Sequence, residues 1–194
     1  MSVRHALLAI LDQGPCYGYQ LRAEYARRTG VAVNVGQIYT TLERLERDGL
    51  VDNRGADDRG HVYWGITGAG RALAVRWVAE PDAPSGAAEL ERKIALVATL
   101  PGVDARAVIA TQRDAAILRL AQMQRGRGES EEETVSSVAA TILRAAESAR
   151  TRAEIEWLDA AADAVSVDPV VRTFPLSAER PKRGRPRADS GQAG

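Results

Sequence analysis

The chain has 194 residues, 45% hydrophobic and 27% charged, which supports one or two compact domains with a real core and a solvated surface. Its formal net charge is zero, which excludes a polycation, so any contact with nucleic acid has to rest on local charge. One cysteine, Cys16, excludes an intrachain disulfide and fits a reducing compartment, and no apolar run nears the roughly 18 residues of a membrane span, so a cytoplasmic protein without membrane contact is expected.

Val3, Ala6, Leu7, Ile10 and Leu11 follow the spacing of a helix buried on one side, which Gly14-Pro15 stops. A second helix is predicted over about 17–29, with Leu21 and Tyr25 one turn apart and Gly30 just past its end. A third is predicted over about 35–49 in the stretch VGQIYTTLERLERDGLV, where Gly49 ends it. Asn34 is its candidate N-cap, Gln37 stands three residues on as in a capping box, and Ile38, Leu42 and Leu45 form the buried stripe. Residues 50–54 and 61–66 read as two strands joined by the turn-rich GADDRG, a hairpin. Thr67 can cap a fourth helix carrying Leu73 and Trp77.

Residues 79–88 read as a linker, and beyond them the pattern is helical. Leu90, Ile94 and Val97 fit one helix, broken at Pro101-Gly102; Ile109, Ala116, Leu120 and Met123 fit another, broken at 126–128. Ser130 with Glu133 forms a capping box before an apolar stripe through Val135, Val138, Ile142, Ala145 and Ala149 that can run to Ala164. A helix that long suggests packing against a partner chain. Residues 166–194 are rich in Pro, Gly, Arg and Ser, and disorder is expected there. The fold class is therefore mainly α: an α+β winged helix-turn-helix over 1–78, a helical dimerisation domain over 89–165 and a disordered basic tail.

Charge follows this division. Residues 1–78 carry ten basic and eight acidic side chains, 79–165 carry ten and fifteen, and 166–194 carry six and three, so the two ends are basic and the middle acidic. Three helices and a hairpin in that order suit DNA, because the major groove, about 12 Å wide, admits one α-helix. On the third helix Gln37, Thr40, Thr41 and Arg44 lie at offsets 0, 3, 4 and 7. Glutamine can pair with adenine, threonine can meet a thymine methyl, and arginine can reach guanine or phosphate. Gly36 would let a phosphate approach the helix N-terminus.

The stretches GQIYTTLERLERDGLV and YWGITGAGRAL, with PCYGYQL upstream, resemble the PadR family of bacterial transcriptional regulators. The resemblance is strong over about residues 4–78, and ELERKIALVATLP is similar to the C-terminal domain of longer, virulence-activator-like members. It implies a homodimeric winged-helix repressor that binds operator DNA and responds to small aromatic or hydrophobic compounds. It further implies DNA contacts from Gln37, Tyr39, Thr40 and Arg44 and, on the wing, from residues near Arg59 and His61. One departure is the wing tip, where Asp57 and Asp58 precede Arg59; phosphates repel carboxylates, so either the wing contributes little or the tip turns the acids away.

Plainer readings stand beside these. Gln37 can serve only as a cap, Tyr39 can pack, and Arg44 and Arg47 can pair with Glu43, Glu46 and Asp48 on a solvated face. Trp77 and Trp157 are either core residues or stacking platforms for an effector. Cys16 is a small core residue or a redox site, and His5 and His61 lack partners at metal-ligand spacing, so neither metal nor cofactor is expected. In the tail, Arg183-Gly184-Arg185-Pro186 matches the core of an AT-hook, which lies in a narrow A·T minor groove; the alternative is a flexible basic tail. No nucleophile-base pair, metal cluster or phosphate-binding loop points to an enzyme. The competing function is a winged-helix adaptor acting through protein–protein contact, favoured only by the acidic wing.

Overall fold

The computed structural model describes residues 3–81, 87–125, 135–166 and 175–177. The first helix, α1 (Val3–Leu11), is buried on more than the one stripe its periodicity suggests. Leu8 and Ala9 are as inaccessible as Leu7 and Ile10. Helices α2 (Gly18–Thr29) and α3 (Val35–Arg47) cover one side of it and α4 (Gly68–Ala79) covers the other, so α1 is the central element.

A two-residue strand, β1 (Cys16–Tyr17), precedes α2. It pairs antiparallel with β3 (Val62–Ile66), Cys16 opposite Trp64, and β3 pairs antiparallel with β2 (Val51–Ala56), giving the order β1-β3-β2. Two residues cannot display a period, which is why the sequence hides β1 inside the expected start of α2.

Helix α2 ends at Gly30, which takes φ 72° and donates its N–H to the Ala26 carbonyl. Helix α3 ends in a Schellman motif: Leu50 N–H reaches the Leu45 carbonyl at 2.9 Å and Gly49, at φ 69°, reaches that of Glu46 at 2.8 Å. Leu50 is thereby folded back beside Leu45, both buried, and Val51 starts the wing. Thr67 fastens the other end of the hairpin. Its hydroxyl donates to the Gly49 carbonyl at 2.8 Å and accepts from Gly70 N–H at 3.1 Å, capping α4. At Gly70 a side chain would fall on the Leu50 carbonyl, so the helix start and the α3–β2 turn pack backbone to backbone.

Helices α5 (Ala87–Val97), α6 (Ala105–Arg125) and α7 (Val135–Ser166) follow. One buried cluster runs from α1 through Leu45, Trp64 and Trp77 into Leu96, Ile109 and Leu158, so the helical segment shares its core with the winged part. Lys93 is fully covered, its ammonium donating to the Glu80 carbonyl at 2.7 Å over the face of Trp77. Helices α6 and α7 pack together and are tied by Arg119–Glu154 at 2.6 Å and Arg113–Asp159 at 2.5 Å. At 32 residues α7 is about 48 Å long. The expected Ser130–Glu133 capping box and the tail residues Arg183 and Arg185 lie outside the described residues. Among the described residues no helix is long and apolar enough to cross a membrane.

Candidate nucleic-acid interface

Helix α3 buries Ile38, Leu42 and Leu45 completely, and this fixes which side faces out. With 3.6 residues per turn, Gly36, Thr40, Arg44 and Arg47 fall opposite the buried stripe, and all four are exposed. Gln37 borders this face and is exposed too. The structure separates the alternatives that spacing left open. Asn34 caps the helix by accepting from Gly36 N–H at 2.8 Å, one position earlier than a capping box, and the Gln37 side chain bonds to nothing among the described residues. The Gly36 N–H is therefore taken by the cap. Thr41 spends its hydroxyl on the Gln37 carbonyl at 2.7 Å. Arg44 and Arg47 have no ion-pair partner among the described residues, although Glu43 shares their face. Arg47 is a further exposed cation on this face, beside the candidates that spacing singled out. Asp48 binds Arg4 at the start of α1, at 2.8 Å.

Tyr39 has a different setting. Its ring lies on Gly18, the first residue of α2, so closely that a Cβ there would stand 2.5 Å from the ring's Cζ. The ring is thus seated against α2 while 37% of the residue remains exposed. Arg22 of α2 holds the turn before α3 through the Val33 carbonyl at 2.9 Å.

At the wing tip the two acids differ in their setting. Asp57 points into the loop, where one carboxylate oxygen accepts from the N–H of Arg59 at 3.0 Å and of His61 at 2.9 Å, and the other lies 3.1 Å from His61 Nδ1. The His61 backbone donor above all holds its carboxyl below the usual aspartate value. The His61 ring also stacks on Tyr17, centroids 4.6 Å apart, so it serves the loop as much as any ligand. Arg59 extends outward from the tip, with Asp58 exposed beside it. Arg54 was not singled out in the sequence. It lies across Gly65, where a side chain would collide with it, and pairs with Asp52 at 2.7 Å while remaining half exposed.

Behind the interface, α2 carries a buried ion cluster. Arg28 donates to Glu24 at 2.9 Å, to the Thr99 carbonyl and hydroxyl at 2.8 and 2.9 Å, and to Gln13 at 3.0 Å. Burial alone would raise the Glu24 carboxyl, but donors from Arg27, Ser177 N–H and Arg28 outweigh it and hold the group below its usual value. Nothing local in the sequence marks this i, i+4 pair as covered by α5 and the turn after it. Burial pushes the Cys16 thiol up to about 12, which keeps it protonated and favours the core reading over a redox one.

A cavity of about 950 Å³ opens between α1, α4, α6 and the turn before α6, walled by Ala9, Ala74, Val78, Leu100, Val108 and Leu176 among others. Neither Trp77 nor Trp157 lines it. Trp77 is buried, stacked on His5 at 5.6 Å, and Trp157 packs half-buried on the core from α7. Among the described residues no cluster of His, Cys, Asp or Glu can hold a metal.

The helix order, the three-stranded sheet and the outward face of α3 define a winged helix-turn-helix protein with a helical C-terminal part. Residues 7–75, the winged part of the chain, match the model of the transcriptional regulator PadR-like family. A probable transcriptional regulator of Mycobacterium tuberculosis is 34% identical over 92 residues, covering 44% of this chain and 48% of the relative. The match thus spans about half the length of that relative. Solved structures with a similar arrangement include Bacillus subtilis PadR in complex with operator DNA, with TM-score 0.39 and 18% identity over 84% of this chain and 98% of that one. Bacillus subtilis PadR in complex with p-coumaric acid gives TM-score 0.38 and 16% identity over 86% and 99%. A PadR-like regulator from Bacillus cereus gives 0.36 and 16% over 85% and 98%.

Proposed function

We propose that the protein is a homodimeric repressor that inserts α3 into the major groove of an operator, with Thr40, Arg44 and Gln37 meeting base edges and Arg47, Arg54 and Arg59 meeting phosphates. The observation that carries this reading is the α3 face. A fully buried apolar stripe fixes the helix on its domain, and the outward face presents exposed glutamine, threonine and arginine side chains that have no partner among the described residues. An adaptor has only the exposed Asp58 in its favour, since the wing's Asp57 is occupied in its own loop.

Dimerisation is supported by the outer surface of the C-terminal helices. Leu118 is 60% exposed, Ile142 63% and Leu143 67%, large apolar side chains left uncovered by the described residues. Two copies joined there would present two α3 helices to half-sites about 34 Å apart. An effector finds room in the 950 Å³ cavity, whose mostly aliphatic wall suits a small aromatic or hydrophobic compound better than the packed Trp77 does. In the tail, Arg183 and Arg185 add a second contact in an A·T minor groove.

Selection of bound fragments from the source genome tests the reading: a pseudo-palindromic site upstream of a gene that the protein silences in a reporter is expected. Recovery of random fragments would remove it. Ending the chain after residue 179 deletes five basic side chains and should lower the salt slope by up to about 4–5 for each arm fully engaged. A larger loss on A·T-rich than on G·C-rich flanks is expected of a hook, and equal losses would leave a plain basic tail.

A further inference from the structure

After α7 the chain returns to the winged domain at residues 175–177, and the contacts there are specific. The Pro175 carbonyl accepts from Arg27 at 3.0 Å. Ser177 N–H donates to Glu24 Oε1 at 2.8 Å, and the Ser177 carbonyl accepts from Gln20 at 3.4 Å. Leu176 lies between these anchors, packed on the core, with its Cδ1 3.4 Å from where a Cβ on Gly14 would stand. All three polar partners are on α2, the helix that precedes α3.

Glu24 makes this more than an incidental crossing. Its side chain is 1% accessible and its other oxygen is held by Arg27 at 2.6 Å and Arg28 at 2.9 Å. Without the segment, Oε1 would lose its backbone donor, and a buried carboxylate oxygen without a donor is costly. Pro175 and Leu176 are at the same time part of the wall of the cavity, as is Gln13, which is bonded to Arg28.

We propose that residues 175–177 form a latch that completes the cavity wall, so that an apolar ligand in the cavity and the docked latch stabilise one another, and Glu24 Oε1 keeps its backbone donor only while the latch is closed. This rests on the effector site assigned above. The coupling follows from linkage: a ligand in the cavity touches Leu176 and Pro175 only in the latched state, so it binds that state more tightly and shifts the chain toward it. The ligand is a small, largely apolar molecule, because most of the wall is aliphatic, while of its carboxylates Asp12 is paired with Arg71 and Asp104 accepts from the Ala107 N–H.

The test uses the full chain with the neutral fluorescent probe N-phenyl-1-naphthylamine, and compares wild type, Leu176→Ala and Ser177→Pro. The probe should bind Leu176→Ala about tenfold more weakly, from the lost apolar contact. In wild type the Ser177 amide should be protected from hydrogen exchange, more so with probe, and protection of Glu24's neighbours on α2 should fall in Ser177→Pro, which lacks the donor. Equal probe affinity in wild type and Leu176→Ala, absence of probe binding, or a Ser177 amide exchanging as fast as unstructured chain would each overturn the proposal. Neither measurement reads DNA, so a protein that passes both but retains no operator would remove the regulator reading and leave the latch standing.

Discussion

Gly18 and Tyr39 form a pair in which the absence of one side chain sets the position of another. The Tyr39 ring occupies the space a Cβ on Gly18 would take, so the glycine brings α3 close to the start of α2. Gly18→Ala is expected to push the ring out and lower stability by about 1–3 kcal/mol, as overpacking does. A urea titration of the two proteins checks this, and an unchanged midpoint would show that Tyr39 moves aside freely. Asp57 acts on the same scale. Asp57→Asn keeps the shape but weakens the charge-assisted bonds to Arg59 and His61 N–H, so the wing tip should exchange its amide hydrogens faster while the global midpoint changes little.

Among the elements, α2 joins the most partners and shows the least of this in sequence. Its Glu24–Arg28 pair is buried against α5 and the turn that follows it. Arg28→Met leaves the Glu24 carboxylate buried with fewer donors, and breaking such a pair costs about 3–5 kcal/mol. Replacing both, Glu24→Leu with Arg28→Met, should cost less than Arg28→Met alone, and a thermal melt of the three proteins decides. The folded-state value of Glu24 is depressed, so its contribution is complete above the unfolded glutamate value of about 4.3 and is lost as pH falls through the lower folded value. Acid titrations of wild type and Glu24→Gln should therefore diverge above that window and converge below it; parallel curves throughout would contradict this. Helix α3 is the opposite case: its stripe, its Asn34 cap and its Gly49 stop were all readable, because each depends on residues within one or two turns. The strand β1 and the Glu24 cluster were not, because both are defined by residues distant in sequence, Trp64 for the first and Thr99 for the second.

At the scale of the whole molecule, the exposed apolar surface of α6 and α7 has a consequence for assembly. Leu143→Glu together with Ile142→Glu places two charges in that patch, and the double variant should sediment as a monomer at a concentration where wild type is a dimer. A monomeric wild type at micromolar concentration would mean the patch serves something else. The long final helix was legible as a run without breakers, but the return of residues 175–177 to α2 was not, since neither PLS nor α2 carries a local signal for the other.

Whether α3 reads DNA through its outward stripe is decided by Arg44→Ala measured on the selected operator. Affinity as a function of salt, for wild type and variant, on the operator and on operators substituted one base pair at a time, separates the possible contacts. A guanine contact predicts a loss of about 1–3 kcal/mol confined to one base pair. A phosphate contact predicts a similar loss on every sequence and a salt slope shallower by about 1. Either result places the exposed, unpaired Arg44 against the duplex. Affinity and slope both unchanged in Arg44→Ala would contradict a DNA contact from that stripe.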